Sequence, residues 1–261
     1  MRGYKIVRGI NLCVLSLLLI CVSLMKVQVA SAEGLLLFSG AGLRQPVQEL
    51  VDHFQRETGT RVSVEYGGAG KLMSRHIATG RGDVFLPGSF FYIEQLARKG
   101  AVATSYDIVF HIPVVAVNRH RTELVKNFLD LAKPGVRVGL GDPRAMALGR
   151  TAEQILKNSG IRKRILPNVV VRSATVKQLT LYIVKGDVDA GIIARADALQ
   201  NRDAVVAFEV NPDWYKPEIV SVAVLKSSRQ PETADKLARF LSSERGVVVF
   251  EKYGFKSIHA K

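Results

Sequence analysis

The sequence predicts an α/β protein of two lobes between which the chain crosses twice. Short apolar runs that end in a turn, each followed by apolar residues at helical spacing, form two series along the chain. Two longer β-rich runs, 108–117 with Pro113 in its middle and 219–225, join the series. We therefore expect residues 33–112 and 219–261 in one lobe, residues 113–218 in the other, and a cleft that opens and closes at the two crossings.

Residues 1–32 are predicted to be an export signal that is cleaved from the folded protein. Arg2, Lys5 and Arg8 precede an apolar run over 12–25, which is shorter than the about 20 residues needed to span a bilayer. Ala30-Ser31-Ala32 has the small-residue pattern of a cleavage site. We therefore expect cleavage between Ala32 and Glu33 and location in the periplasm.

Both cysteines, Cys13 and Cys21, lie in this predicted leader, and the chain as a whole has a formal net charge of +14. The mature chain therefore has no thiol, which excludes disulfides, cysteine-ligated metals and thiol nucleophiles. Ile20 precedes Cys21 where lipid attachment needs a small residue, so cleavage without a lipid anchor is expected. The basic surplus bears on partners and on the rate of anion encounter, not on the fold.

Three strand, turn and helix units are predicted in the first series. The strands are 35–38, 61–66 and 83–86, and the turns that follow them are 39–42, 67–70 and 87–89. Apolar residues recur three and four positions apart after each turn, which indicates a helix, and Gly59 is expected to end the first of these helices. Continuous apolar strands of this kind are typical of a buried parallel sheet.

The second series follows the first long β-rich run and repeats the same pattern. Its predicted strands are 136–140, 169–171 and 191–193. The predicted helices of this series and of the C-terminal part contain residues 124–131, 152–156, 179–183, 237–241 and 247–250.

The turns at the carboxyl ends of these strands predict an anion site in the cleft. In open parallel sheets, ligands bind beyond the carboxyl ends of the strands, where the N–H groups that begin the following helices favour negative charge. The turns 39–42 and 67–70 would serve from one lobe, and the segments 141–149 and 174–176 from the other.

The sequence lacks the motifs of several other classes of protein. Gly70-Lys71 is not part of a P-loop, because Glu65 and Leu72 stand where that motif needs glycine and Ser/Thr. The histidines lack metal-ligand spacing, no G-x-S-x-G elbow occurs, and the basic run 162–164 lacks the aromatic neighbours typical of nucleic-acid sites. We therefore expect no enzyme activity, no metal, no cofactor and no nucleic-acid partner.

Six short pieces, spread in order over the chain, resemble the periplasmic molybdate-binding proteins of ABC importers, a family of type II periplasmic solute-binding proteins. The pieces are 38–43, 80–85, 141–143, 189–192, 223–225 and 250–255. The resemblance implies a monomer with the two-lobed periplasmic binding protein fold, whose two crossover strands form a hinge. It also implies that a tetrahedral oxyanion such as molybdate or tungstate binds in the cleft and passes to an ABC permease at the inner membrane.

The resemblance also implies which positions bind the anion. Gly42 and Ala69 stand where the family has serines, and Ala194 stands where a tyrosine is frequent, so three hydroxyl donors are missing. Leu148 and Val176 stand at the two positions that donate backbone N–H groups, which any side chain permits.

Other donors could replace those hydroxyl groups. Ser39, Ser89 and Lys71 are candidate side-chain donors, and Gly70 would let the backbone approach an anion closely. A cleft that contains Lys71 or Arg195 would suit a larger anion.

Two alternatives follow for the function. The ligand could be sulfate, phosphate or a small phosphorylated or carboxylated metabolite, and the protein could be a periplasmic sensor or adhesin that uses the same cleft.

Overall fold

The computed structural model describes residues 34–259, which belong to one compact unit, Gly34–Lys261. The predicted leader, its cleavage site and both cysteines lie outside the described residues. Within 34–259, every helix is too short or too polar to cross a membrane.

The predicted order of strands and helices is confirmed over most of this range. The strands are β1 Leu35–Gly40, β2 Val62–Gly67, β3 Val84–Leu86, β4 Val102–His111, β5 Pro113–Asn118, β6 Val138–Gly141, β7 Val169–Ser173, β8 Ala190–Ala194, β9 Val205–Glu209, β10 Glu218–Leu225 and β11 Lys256–Ser257. The α-helices are α1 Arg44–Thr58, α2 Ala69–Thr79, α3 Phe90–Arg98, α4 Ala147–Asn158, α5 Arg162–Ile165, α6 Val176–Lys185, α7 Arg195–Gln200, α8 Pro231–Ser242 and α9 Glu244–Lys252. Gly59 ends α1 with a φ of 69°, as predicted.

The strands form two sheets, and the predicted α/β fold with two lobes is therefore confirmed. A six-stranded sheet has the order β11-β4-β10-β3-β1-β2, and a five-stranded sheet has the order β7-β6-β8-β5-β9. The first sheet draws on 35–111 and 218–257, and the second on 113–209. We name these sheets with their helices the first lobe and the second lobe. The chain passes between them at Ile112 and again just before Glu218.

Parallel pairing places the carboxyl ends of the central strands side by side. In the first lobe β1 pairs in parallel with β2 and β3, and β10 runs antiparallel beside β3. In the second lobe β6 pairs in parallel with β7 and β8. The turns that begin α2, α3, α4 and α6 therefore lie at the carboxyl edges of the two sheets, where the sequence places the candidate site.

The helix predicted for 124–131 is wrong. Two short 3-10 turns, Arg119–Arg121 and Phe128–Ala132, stand in this region. The side chain of Asn127 accepts the N–H of Leu129 at 2.9 Å, and the carboxylate of Asp130 accepts the N–H of Lys126 at 2.8 Å. These local bonds compete with the helical pattern, although Phe128 and Leu131 are buried as their spacing indicates.

Three strands, in whole or in part, and one short helix were not predicted from the sequence. Their apolar residues do not recur at a regular spacing. The edge strand β9 has only one buried residue, Val205, and pairs with β5 alone. The first half of β4, the two-residue β11 and the six-residue α7 are likewise absent from the predicted elements. Strand pairing and tertiary packing, rather than local periodicity, define these elements.

An ionic cluster around Asp189 joins the start of β6 to the start of β8. The Asp189 side chain is only 3% exposed, and it accepts hydrogen bonds from the backbone N–H of Arg137 at 2.8 Å and from Arg137 Nη2 at 2.7 Å. Arg121 Nε lies 3.3 Å from the same carboxylate. Arg137 also donates to the carbonyl oxygen of Gly186 at 2.7 Å. Asp189 therefore neutralises two arginines beside a parallel strand pair of the second lobe.

Substitution of Asp189 by alanine is expected to lower the free energy of unfolding by about 1–3 kcal/mol, because it leaves the backbone N–H of Arg137 and two partly exposed arginines without their carboxylate. Urea unfolding followed by circular dichroism measures the change. Asp187→Ala is the matched control: its side chain is exposed two positions away, so a change of less than about 0.5 kcal/mol is expected. Equal effects of the two substitutions would contradict this account of the cluster.

Candidate functional site

A small cavity lies between the two lobes, at the carboxyl edges of both sheets. Its volume is about 30 Å³. Its walls are formed by the segments 40–43, 67–69, 146–148 and 175–176, together with Gly88 and His111. A buried water needs on the order of 10–15 Å³ on the same scale, so the cavity has room for a compact group of a few atoms.

The beginnings of helices from both lobes surround this cavity. Ala69 is the first residue of α2, Leu148 is the second residue of α4, and Val176 is the first residue of α6. A 3-10 turn over Ala41–Leu43 adds a fourth backbone segment. The first N–H groups of a helix have no acceptor within that helix and carry partial positive charge. Four backbone segments therefore offer donors toward one small space.

The start of α6 shows how the sequence arranges these donors. Thr175 has the extended conformation of an N-cap residue, and its hydroxyl accepts the N–H of Gln178 at 3.2 Å. This cap satisfies the third N–H of the helix and leaves the N–H groups of Val176 and Lys177 at the open end. In the first lobe, Gly68 gives α2 an extended N-cap without a side chain that could compete for the donors.

The cavity carries almost no ionisable groups. Among the described residues of its wall, only His111 can titrate, and the others are glycine, alanine, larger apolar residues and Thr175. Such a wall holds a ligand by backbone donors and by shape rather than by fixed opposite charge.

Gly42 and Val176 are complementary in size across the cleft. A Cβ atom added at Gly42 would lie 2.6 Å from Cγ1 of Val176, so a serine at this position would clash with the valine methyl group. Leu43, Leu148 and Val176 belong to one apolar cluster that includes side chains from both lobes. The missing hydroxyl at Gly42 is therefore matched by a bulkier residue on the opposite lobe.

The second glycine turn fits closely against carbonyl oxygens of the second lobe. The N–H of Gly70 donates to the carbonyl oxygen of Ala145 at 3.2 Å. A Cβ atom added at Gly70 would overlap the carbonyl oxygen of Arg144, and one added at Gly68 would lie 2.7 Å from that of Ala174. The two lobes are thus in backbone contact, and only glycine permits this approach. The cleft is therefore narrow beside this turn.

An ionic network beside the cavity also joins the lobes. Arg150 on α4 donates from Nη2 to Oγ of Ser89 at 2.8 Å and to Oε1 of Glu218 at 2.9 Å. Its guanidinium carbon lies 3.6 Å from the ring centroid of Phe91. Ser89 also donates to Glu218 and caps α3 by accepting the N–H of Phe91 at 3.2 Å. Ser89, which the sequence suggests as a ligand donor, is therefore engaged in this network.

The residues predicted to bind the ligand fall into two groups. Gly42, Ala69, Leu148 and Val176 form part of the cavity wall. Ser39, Gly70, Lys71 and Ala194 do not belong to that wall.

Each residue of the second group has a different place in the fold. Ser39 is fully buried and its hydroxyl has no hydrogen-bond partner, whereas Lys71 is exposed on α2. Gly70 contacts the opposite lobe, and Ala194 ends the buried strand β8. Arg195 donates from Nε to the carbonyl oxygen of Gly254 at 3.2 Å, outside the cavity wall.

His111, Arg150 and Glu218 are residues of this region that the sequence does not single out. His111 is the last residue of β4 and Glu218 is the first residue of β10, and the two are paired in register across the antiparallel strands. Both stand next to the predicted crossings: His111 is two residues before Pro113, and Glu218 directly precedes the run 219–225. That position is the signal that could have identified them, since a residue at a crossing borders the cleft.

Comparison with known proteins is consistent with this geometry. A Haemophilus influenzae protein whose name specifies only binding is 39% identical over 224 residues, which is 86% of this chain and 91% of that protein. The molybdate-binding protein ModA of Escherichia coli is 21% identical over 226 residues, or 84% of this chain and 87% of that protein. The periplasmic molybdate-binding protein of Azotobacter vinelandii has a similar structure, with a TM-score of 0.75, 19% identity and coverage of 85% of this chain and 98% of that chain.

The family model for bacterial extracellular solute-binding proteins matches residues 35–256, which contain both lobes and all four backbone segments of the cavity wall. This match supports the prediction that the chain is not an enzyme. The chain belongs to the family of bacterial extracellular solute-binding proteins.

Proposed function

We propose that the protein is the periplasmic binding component of an ABC importer and that its cleft binds a tetrahedral oxyanion, with molybdate and tungstate as the preferred ligands. The observation that carries this proposal is the convergence of helix N-termini from both lobes on one small cavity without charged side chains. Backbone N–H groups at helix N-termini can replace the hydration shell that an anion loses when it enters the cleft.

The size of the cavity favours a compact anion over a metabolite. About 30 Å³ is enough for a group of a few heavy atoms, and a phosphorylated or carboxylated metabolite would need a wider cleft. Lys71 and Arg195, which would suit such a ligand, do not belong to the cavity wall. The names of the similar molybdate-binding proteins from Escherichia coli and Azotobacter vinelandii support the choice of molybdate.

The roles of individual residues follow from the same geometry. Leu148 and Val176 donate their backbone N–H groups from the second lobe. Gly42 and Ala69 provide backbone from the first lobe, and the absence of a side chain at Gly42 leaves the space that Val176 occupies. Gly70 contributes by letting the second lobe approach, and closure over the anion presents the protein to the permease.

Isothermal titration of the protein, produced from the full-length chain, with molybdate, tungstate, sulfate, phosphate and glycerol 3-phosphate tests the ligand class. We expect molybdate and tungstate to bind at least about tenfold more tightly than the other three, because similar proteins are named for molybdate and the small cavity leaves no room for a glycerol substituent. Preference for glycerol 3-phosphate would contradict the proposed ligand and support a metabolite. Absence of binding by all five anions would contradict the oxyanion site itself.

Val176→Pro tests the backbone donor directly. Val176 is the first residue of α6, where proline fits a helix, and Thr175 before it already has the extended conformation that proline requires. The substitution removes one N–H donor to a charged ligand, worth about 1.5–3 kcal/mol, so affinity should fall about tenfold to a hundredfold.

Val176→Ala is the matched control, since it shortens the side chain and keeps the N–H group. The alanine variant should lose less affinity for molybdate than the proline variant does. Titration calorimetry measures both, and circular dichroism verifies that α6 is intact. Equal losses for the two variants would show that the side chain of Val176, and not its backbone, determines binding.

A further inference from the structure

His111 is buried at the edge of the cavity. Its side chain is buried, with 4% of the residue exposed, and it forms part of the cavity wall. A Cβ atom placed at Gly88 would lie 3.3 Å from Nδ1 of His111, 3.4 Å from its Cε1 and 3.7 Å from the Cβ atom of Ala147. The Nδ1–Cε1 edge of the imidazole therefore lies against Gly88, which also forms part of the cavity wall.

The hydrogen bonds of this imidazole determine its tautomer. Nδ1 lies 3.2 Å from the carbonyl oxygen of Gly88, which can only accept, so Nδ1 carries the proton. Nε2 is buried and has no hydrogen-bond partner. In the neutral ring Nε2 is thus a buried lone pair without a donor, an arrangement that costs free energy.

The surroundings keep the ring neutral when the cavity holds no anion. Burial lowers the pKa of His111 to about 4, and the bond to Gly88 raises it only in part. The ring lies against Phe255, with 5.4 Å between the ring centroids.

Two of the ionisable groups on the elements around His111 are paired with each other. Glu218 on β10 is the register partner of His111, and it is paired with Arg150 on α4. Arg195 on α7 is bonded to Gly254, Lys256 on β11 is exposed, and the hydroxyl of Tyr92 on α3 is buried. The carboxylate nearest in register is therefore already neutralised.

We propose that His111 takes up a proton when the oxyanion binds and then donates from Nε2, so that it supplies a side-chain donor in place of the hydroxyl groups missing at Gly42, Ala69 and Ala194. This inference rests on the proposed function and adds to it a residue that sets affinity and its dependence on pH.

The chemistry requires one proton for each bound anion. A fully deprotonated oxyanion has only acceptor oxygens, and the Nε2 lone pair of a neutral ring repels it. A proton taken from the solvent turns Nε2–H into a charge-assisted donor, and the adjacent negative charge stabilises the imidazolium. Nothing else is transferred, so the bound complex differs from its separate components by one proton.

Proton uptake is measured by titrating the protein with molybdate in buffers that differ in ionisation enthalpy, between about pH 6 and 8. If the His111 imidazole is neutral in the free protein and charged in the complex, the protein should take up close to one proton for each anion that it binds. Affinity should then rise by up to about tenfold for each unit by which the pH falls. Sulfate, which is also a dianion over this range, should show the same slope.

Two variants separate a titrating donor from a packing residue. Glutamine at position 111 places a permanent donor near the location of Nε2, so His111→Gln should bind molybdate without proton uptake and without a pH slope. His111→Leu keeps an apolar side chain against Phe255 and offers no donor, so it should bind at least about tenfold more weakly at pH 6 than the wild type.

His76→Gln is the matched control. His76 is also buried, with Nδ1 bonded to a backbone carbonyl, that of Arg81, at 2.8 Å, but it lies near the end of α2 and outside the cavity wall. This variant should retain the wild-type proton uptake and slope.

The outcomes distinguish this inference from the proposed function. Molybdate binding without proton uptake in the wild type would overturn the role of His111 and leave the oxyanion site in place, and this reading does not depend on the variants folding. Wild-type affinity and slope in His111→Leu would overturn it as well. Failure of molybdate and sulfate to bind at any pH would overturn the proposed function and this inference together.

Discussion

Unpaired N–H groups at the beginnings of helices are the constraint on which the cleft depends. Each such group needs an acceptor, and the parallel pairing of the central strands brings the ends of several strand-to-helix turns to the same edge of each sheet. The two lobes face each other at these edges, so their donors converge on one cavity. Every other feature of the site either shapes this cavity or brings the two sets of donors together.

The backbone of the first-lobe turns lies directly against the backbone of the second lobe. This contact explains why these turns are rich in glycine. Gly68 and Gly70 lie against carbonyl oxygens of Ala174 and Arg144, where any side chain would overlap them. Gly42 leaves the space into which Val176 extends. Glycine therefore has two roles here: it ends strands, and it permits the short distance between the lobes.

Most of the fold could be predicted from the sequence, because buried parallel strands give continuous apolar runs and because glycines end helices at fixed places such as Gly59. The segment 124–131 could not, since hydrogen bonds from Asn127 and Asp130 to the backbone outweigh its helical spacing.

The turns of the site were equally predictable, whereas individual side-chain donors were not. Ser39 shares a strand face with Leu35 and Leu37 and is buried with them, and Lys71 is the third residue of α2, on an exposed position. His111 has no local pattern at all, because the register of β4 with β10 and the turn at Gly88 bring it to the cavity. In the proposed function the donors are divided between two lobes, so neither lobe alone would hold the anion and affinity would be coupled to closure.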